Sequence, residues 1–193
     1  ISHTRELYLR NLSLLHSDIV REISIQKAPA LERFKLSVSS TSPMGIKHLV
    51  EHSFFKGPLP KLRVFFVSQI LFPWSLIPRG QLTQLTVALN EEFLTSGPEA
   101  SPHDDLNQLI DLLANCPALE VLTLENCLPV TLSESSGGQT IHLPRLSRLC
   151  LGGSSSRVTN LFKMLKLSSS ALYVRECYNP ERAPHSSYHL GTL

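Results

Sequence analysis

His48-Leu-Val-Glu51-His52 is the stretch whose residue types and spacing come nearest to a catalytic pattern. Residues four apart share one face of a helix. His48 and His52 would then offer two imidazoles to one Zn²⁺, with Glu51 as general base, the H-x-x-E-H arrangement of a zinc hydrolase. The same segment carries Ile46, Leu49 and Val50 at helical spacing. Those residues explain it as an amphipathic outer helix with its histidines exposed. The pattern is short and recurs without metal. No catalytic residue, metal or cofactor is therefore assigned. A zinc-dependent hydrolase at His48, Glu51 and His52 is kept only as the lesser alternative.

Nothing else in the chain has reactive spacing. The remaining histidines (3, 16, 103, 142, 185 and 189) are scattered. The four cysteines at 116, 127, 150 and 177 include no C-x-x-C pair, too sparse for a disulfide scaffold and without metal-site spacing. They read as reduced thiols of a cytoplasmic or nuclear protein. Cys150 stands near Arg148, where a cation favours the thiolate, but a small residue on a strand explains it better. Ser135-Ser-Gly-Gly138 lacks the lysine and the glycine spacing of a phosphate loop. A net charge of +2 makes no case for nucleic acid or an anionic membrane. No apolar run approaches the roughly 18 residues that span a bilayer.

The elements that position these residues follow from a repeat. Leu119-x-x-Leu122-x-Leu124-x-x-Cys127 has the L-x-x-L-x-L-x-x-N/C spacing of a leucine-rich repeat. Leu122 and Leu124, two apart, point to one side of a strand. One such unit cannot bury its apolar side alone and needs similar units stacked on it. The chain supplies them. The anchor recurs at Leu7, Phe34, Phe65, Leu85, Leu122, Leu149 and Leu172, with Leu9, Leu36, Val67, Val87, Leu124, Leu151 and Val174 two residues on. Leu31, Leu62, Leu82, Leu119 and Leu146 open the five central units. The ninth position is Asn90, Cys127 and Cys177 in three units, where a small polar group can satisfy backbone leaving the strand.

Four return segments read as helices: 14–25, 44–55, 102–115 and 157–167. The clearest is 102–115, with Ser101 as N-cap, Pro102 at N1 and an inward stripe of Leu106, Leu109, Ile110 and Leu113. The last faces in with Val158, Leu161, Phe162 and Leu165. The shortest unit has no room for a helix, so Pro73 to Pro78 must cross in extended or tight-turn form. Residues 92–101 and 133–140 are polar, turn-rich insertions. The expected fold is an α/β leucine-rich-repeat solenoid, horseshoe-like, of about seven irregular repeats, with parallel strands inside and helices outside. It forms a single domain over 1–177, and 178–193 is a polar C-terminal tail.

The third, fifth and seventh positions of each unit project opposite the leucines. They give Tyr8 and Arg10, Arg33 and Lys35, Val64 and Phe66, Thr86, Thr123 and Glu125, Arg148, and Tyr173 and Arg175 on the concave face. This face is basic near its start and again near its end, and apolar around Val64 and Phe66. Exposed apolar groups beside Tyr and Arg have the composition of protein-interface anchors.

Three stretches share a helix end or turn, a proline and then L-x-x-L-x-L. They are Leu109-Ile-Asp-Leu-Leu-Ala-Asn-Cys-Pro-Ala-Leu-Glu-Val-Leu-Thr-Leu-Glu-Asn-Cys127, Leu143-Pro-Arg-Leu-Ser-Arg-Leu-Cys-Leu151 and Lys27-Ala-Pro-Ala-Leu-Glu-Arg-Phe-Lys-Leu36. In these the chain resembles the leucine-rich-repeat region of fungal F-box proteins, especially those of mushroom-forming fungi. The resemblance implies a non-catalytic protein–protein interaction module, the target-recognition part of a ubiquitin-ligase adaptor. In that family an F-box binds a Skp-type adaptor. No F-box is found in 1–193, so it is expected upstream of Ile1, and no adaptor-binding residue carries over. A generic repeat scaffold unconnected to ubiquitin is the alternative.

Overall fold

The computed structural model describes residues 2–12, 22–23, 26–38, 55–70, 72–90, 106–129, 140–167, 172–178 and 189–191. Seven strands run parallel, in chain order, within one eight-stranded sheet. They are β1 (Glu6–Leu12), β2 (Arg33–Val38), β3 (Val64–Ser68), β4 (Gln84–Ala88), β5 (Val121–Glu125), β7 (Arg148–Ser154) and β9 (Leu172–Tyr178). β6 (Ile141–Leu143) and β8 (Leu165–Leu167) make a separate two-stranded parallel sheet. The architecture is α/β and solenoid-like: each strand is followed by a return segment that brings the next strand alongside.

The register aligns the repeat anchors as the spacing predicts. Leu7, Phe34, Phe65, Leu85, Leu122 and Leu149 form one row across the sheet, and Leu9, Leu36, Val67, Val87, Leu124 and Leu151 a second. From β2 to β7 both rows are almost wholly buried, whereas Leu7 and Leu9 on the end strand are half-buried. An aromatic column thickens this core. Phe34 meets Phe55 at 5.1 Å and Phe65 at 5.6 Å, and Phe72 links Phe65 to Trp74 at 6.2 and 6.3 Å.

Two backbone devices hold the register. In each, the proline sets a turn and the unit's first leucine closes it. Leu31 N–H donates to Ala28, Leu62 to Leu59, Leu119 to Cys116 and Leu146 to Leu143, at 3.1 to 3.2 Å. Pro29, Pro60, Pro117 and Pro144 each take the second place of the turn, where a fixed φ is an advantage. One carbonyl per unit then accepts two N–H groups from the next. Arg5, Glu32, Arg63, Thr83 and Glu120 do so in succession, at 2.7 to 3.1 Å.

The return segments differ. Trp74–Leu76 is a single 3₁₀ turn between Pro73 and Pro78, the tight crossing expected of the shortest unit, and it seats Trp74 wholly inside. Helix α1 (Leu106–Ala114) buries Leu106, Leu109, Ile110, Leu112 and Leu113, the expected stripe and one residue more. Its expected cap at Ser101 and Pro102 lies outside the described residues, as do the insertion at 92–101 and all but Thr140 of 133–140. The helices expected over 14–25 and 44–55 also fall largely outside them.

Two expectations near the C-terminal end need correction. Helix α2 runs over Ser155–Met164, not 157–167. Residues 165–167 leave it in extended form, because the strand Ile141–Leu143 offers their backbone groups a ladder. Val158 and Leu161 are buried as expected, but Phe162 and Leu165 are only half-buried. The final unit is also one residue out of the register assumed from its sequence. Leu172 pairs with Arg148, Tyr173 with Leu149 and Arg175 with Leu151. Within the expected tail, β10 (His189–Gly191) pairs antiparallel with β9.

Candidate interaction face

The side of the sheet opposite the leucine rows is built by the same two-residue alternation. Three rows cross it. The first is Glu6, Arg33, Val64, Gln84, Val121, Arg148 and Leu172. The second is Tyr8, Lys35, Phe66, Thr86, Thr123, Cys150 and Val174. The third runs Ser37, Ser68, Ala88, Glu125 and Gly152 to Glu176. Nine of the twelve residues expected on this face take places in these rows; Arg10 is exposed but has no partner in the ladder, because the β1–β2 register shifts between Leu9 and Leu12. Tyr173 and Arg175 are not in them: the register puts them in line with the core rows, and Leu172 and Val174 take their places. A slip of one residue exchanges the two faces of a strand. Leu172 is accordingly 42% exposed, against 0% for Leu149 one strand away. Nothing in the spacing of Ser169, Leu172 and Val174 signals the slip, since that spacing matches the other units.

The β1–β2 end is charged and organised. Arg33 Nη1 lies 3.1 Å from Glu6 Oε1, and Tyr8 donates its hydroxyl to Glu6 Oε2 at 2.7 Å. Lys35 Nζ sits over the Tyr8 ring, 5.4 Å from its centre. Both Tyr8 and Arg10 are exposed. An exposed ion pair of this kind contributes little to stability, so the network's main effect is to hold the Lys35 and Tyr8 side chains in place.

The centre of the face carries no charge. Val64, Phe66, Gln84, Ala88, Val121 and Thr123 are half-buried, and Thr86, in the middle, is only 8% exposed. Neighbouring side chains in a parallel sheet shield one another, which is why these positions are neither core nor fully solvated. Toward β7 the face closes with Glu125, whose Oε1 lies 3.9 Å from Cys150 Sγ. Gly152 packs beside Glu125, where a Cβ would make ordinary van der Waals contact with Glu125 Cγ at 3.4 Å. Arg148 is exposed beside Leu172.

Where the chain leaves the strands, the eighth position of the unit does more than the ninth. Gln69 and Asn126 take left-handed backbone, with φ of 63° and 54°. Gln69 donates from Nε2 to Asn90 Oδ1 at 2.6 Å and accepts from the Asn90 N–H at 2.9 Å. Asn126 Nδ2 donates to the Leu89 carbonyl at 3.0 Å. Cys127, at the ninth position, offers its thiol to the Val87 carbonyl at 3.5 Å. Burial pushes that thiol's pKa far up, helped by the Glu125 charge. Burial raises the Cys116 thiol too, against the lowering effects of the Gly80 backbone and Arg79. These are structural cysteines, held protonated.

His48, Glu51 and His52 lie outside the described residues. Among the described residues no three His, Cys, Asp or Glu side chains gather as metal ligands, and no helix is long and apolar enough to cross a membrane. No family model, curated protein or solved structure matches the chain.

Proposed function

We propose that this chain is a non-catalytic protein–protein interaction module, a leucine-rich-repeat solenoid whose open strand face holds a protein target. The observation that carries this reading is the uncharged strip Val64–Phe66–Thr86–Val121. Val64, Phe66 and Val121 are half-buried, Thr86 is nearly buried, and the strip is bordered by Tyr8, Lys35 and Arg148. Apolar groups ringed by Tyr and cationic side chains are the composition of interface centres. The resemblance of the Pro-x-L-x-x-L-x-L stretches to fungal F-box proteins supports a target-recognition role in a ubiquitin-ligase adaptor. On that reading the Skp-type adaptor is bound elsewhere, through an F-box, in the cytoplasm or nucleus.

Affinity purification of the gene's full product tests both parts. The expected result is co-purification of a Skp-type adaptor, with a set of targets that Phe66→Asp removes while the adaptor is retained. Absence of the adaptor overturns the ubiquitin assignment. Targets unaffected by Phe66→Asp overturn the choice of face.

A further inference from the structure

We propose that the open face recognises an acidic segment with an apolar anchor, its carboxylate set against Lys35 and Arg10 and the anchor on Phe66 and Thr86. This rests on the reading of the face as a docking surface and names the chemistry of its occupant.

Charge is distributed unevenly over the face. β1 and β2 present Glu6, Arg33 and Lys35 in register, and Arg10 is exposed two residues beyond Tyr8, at the shift in the β1–β2 register, for a surplus of two positive charges. Glu6 is spent on Arg33. Lys35 and Arg10 have no carboxylate partner among the described residues, and Lys35 is steadied by the Tyr8 ring rather than by an anion. β3 and β4 present no charge, and on β5 and β7 Glu125 and Arg148 cancel. A basic partner would meet the surplus unfavourably. A purely apolar partner would leave the two cations unused. An acidic group at the β1–β2 end gains two cations at once, partly shielded from water when the anchor covers the strip.

Geometry adds a spacing. Strands in a sheet stand about 4.8 Å apart, so Lys35 on β2 and Thr86 on β4 are about 10 Å apart across the face. The occupant should therefore carry its carboxylate about 10 Å from its apolar anchor.

Three pools of fluorescein-labelled ten-residue peptides test this, each with a Leu/Phe centre and with acidic, Ser/Thr or basic flanks. Fluorescence polarisation against the 193-residue chain is the readout. The acidic pool should bind about tenfold tighter than the other two and lose that advantage at high salt. Lys35→Glu with Arg10→Glu should abolish the advantage, while Arg145→Glu with Lys61→Glu, the same charge change on exposed turns, should not. Equal affinity of the acidic and Ser/Thr pools, a basic preference, or no binding by any pool overturns the proposal. If Phe66→Asp removes binding that does not depend on flank charge, the docking face stands and only the acidic partner falls. If no pool responds to Phe66→Asp, the face itself falls.

Discussion

Truncating Leu122 to alanine probes the stacking of the units most directly. Leu122 lies between Leu85 and Leu149 in its row, and all three are fully buried. The change removes three carbons, about 2.4 kcal/mol of transfer free energy at ~0.8 kcal/mol each. Strands on both sides are pinned by their ladders, so the void cannot collapse. A residual cavity of roughly 60 Å³ adds about 1.4 kcal/mol at ~24 cal/mol per Å³. The sum, roughly 4 kcal/mol, is a large fraction of the ~5–15 kcal/mol that holds a domain folded. Leu7 occupies the same row on the end strand, where it is half-buried with a described neighbour on one side only. Its truncation forfeits about half the transfer term and encloses no void, roughly 1 kcal/mol. Urea unfolding followed by far-UV circular dichroism measures both. With m of ~2 kcal/mol per M, Leu122→Ala should lower the midpoint by about 2 M and Leu7→Ala by about 0.5 M. Equal shifts would refute the reasoning, for they would mean that β1 is enclosed as fully as β5.

Other outcomes follow from single positions. Gly153 has a φ of 126°, reached at little cost only by glycine, so Gly153→Ala should destabilise by about 1–3 kcal/mol. Gly152→Ala, with φ in the ordinary range and a Cβ at van der Waals distance from Glu125, should cost well under that in the same urea titration. Brief iodoacetamide treatment at neutral pH, mapped by peptide mass spectrometry, should label half-buried Cys150 well before Cys116 or Cys127; early labelling of Cys127 would contradict its burial. Stability should also fall in alkali. Burial raises the Cys127 pKa above its ordinary 9.0, so the unfolded chain releases that proton first and the folded state binds more protons above pH 9. The stabilisation is whole below pH 9 and declines as pH rises further. Cys127→Ser should flatten the alkaline limb of the unfolding midpoint against pH.

Much of the sheet was legible in the sequence because the period of a strand is two and the unit leucines repeat it. Phe34, Phe65, Leu85, Leu122 and Leu149 could be named as one buried row from their spacing alone, and the pairing places them in one. The same alternation named nine residues of the open face. The prolines two residues before Leu31, Leu62, Leu119 and Leu146 marked those turns, since proline's φ suits the second place of a turn whatever surrounds it. The α1 stripe was equally plain, because a 3.6-residue period over nine residues admits one buried side.

Tertiary structure decided what local pattern left degenerate. Leu172 and Val174 keep the spacing of the other units, and only the ladder with Arg148-Leu-Cys150 selects the frame that turns Leu172 outward. Residues 165–167 have a helical pattern, yet they extend because Ile141–Leu143 lies near enough to pair with them. The half-burial of Phe66 and Val121 and the near-burial of Thr86 depend on neighbours brought from different units. The Glu6–Arg33–Tyr8–Lys35 network likewise joins residues some 25 positions apart in the chain. Spacing along the chain fixes which side of a strand a residue faces; only the packing of one unit on the next fixes register, charge pairing and exposure, because those belong to pairs of residues that the sequence keeps apart.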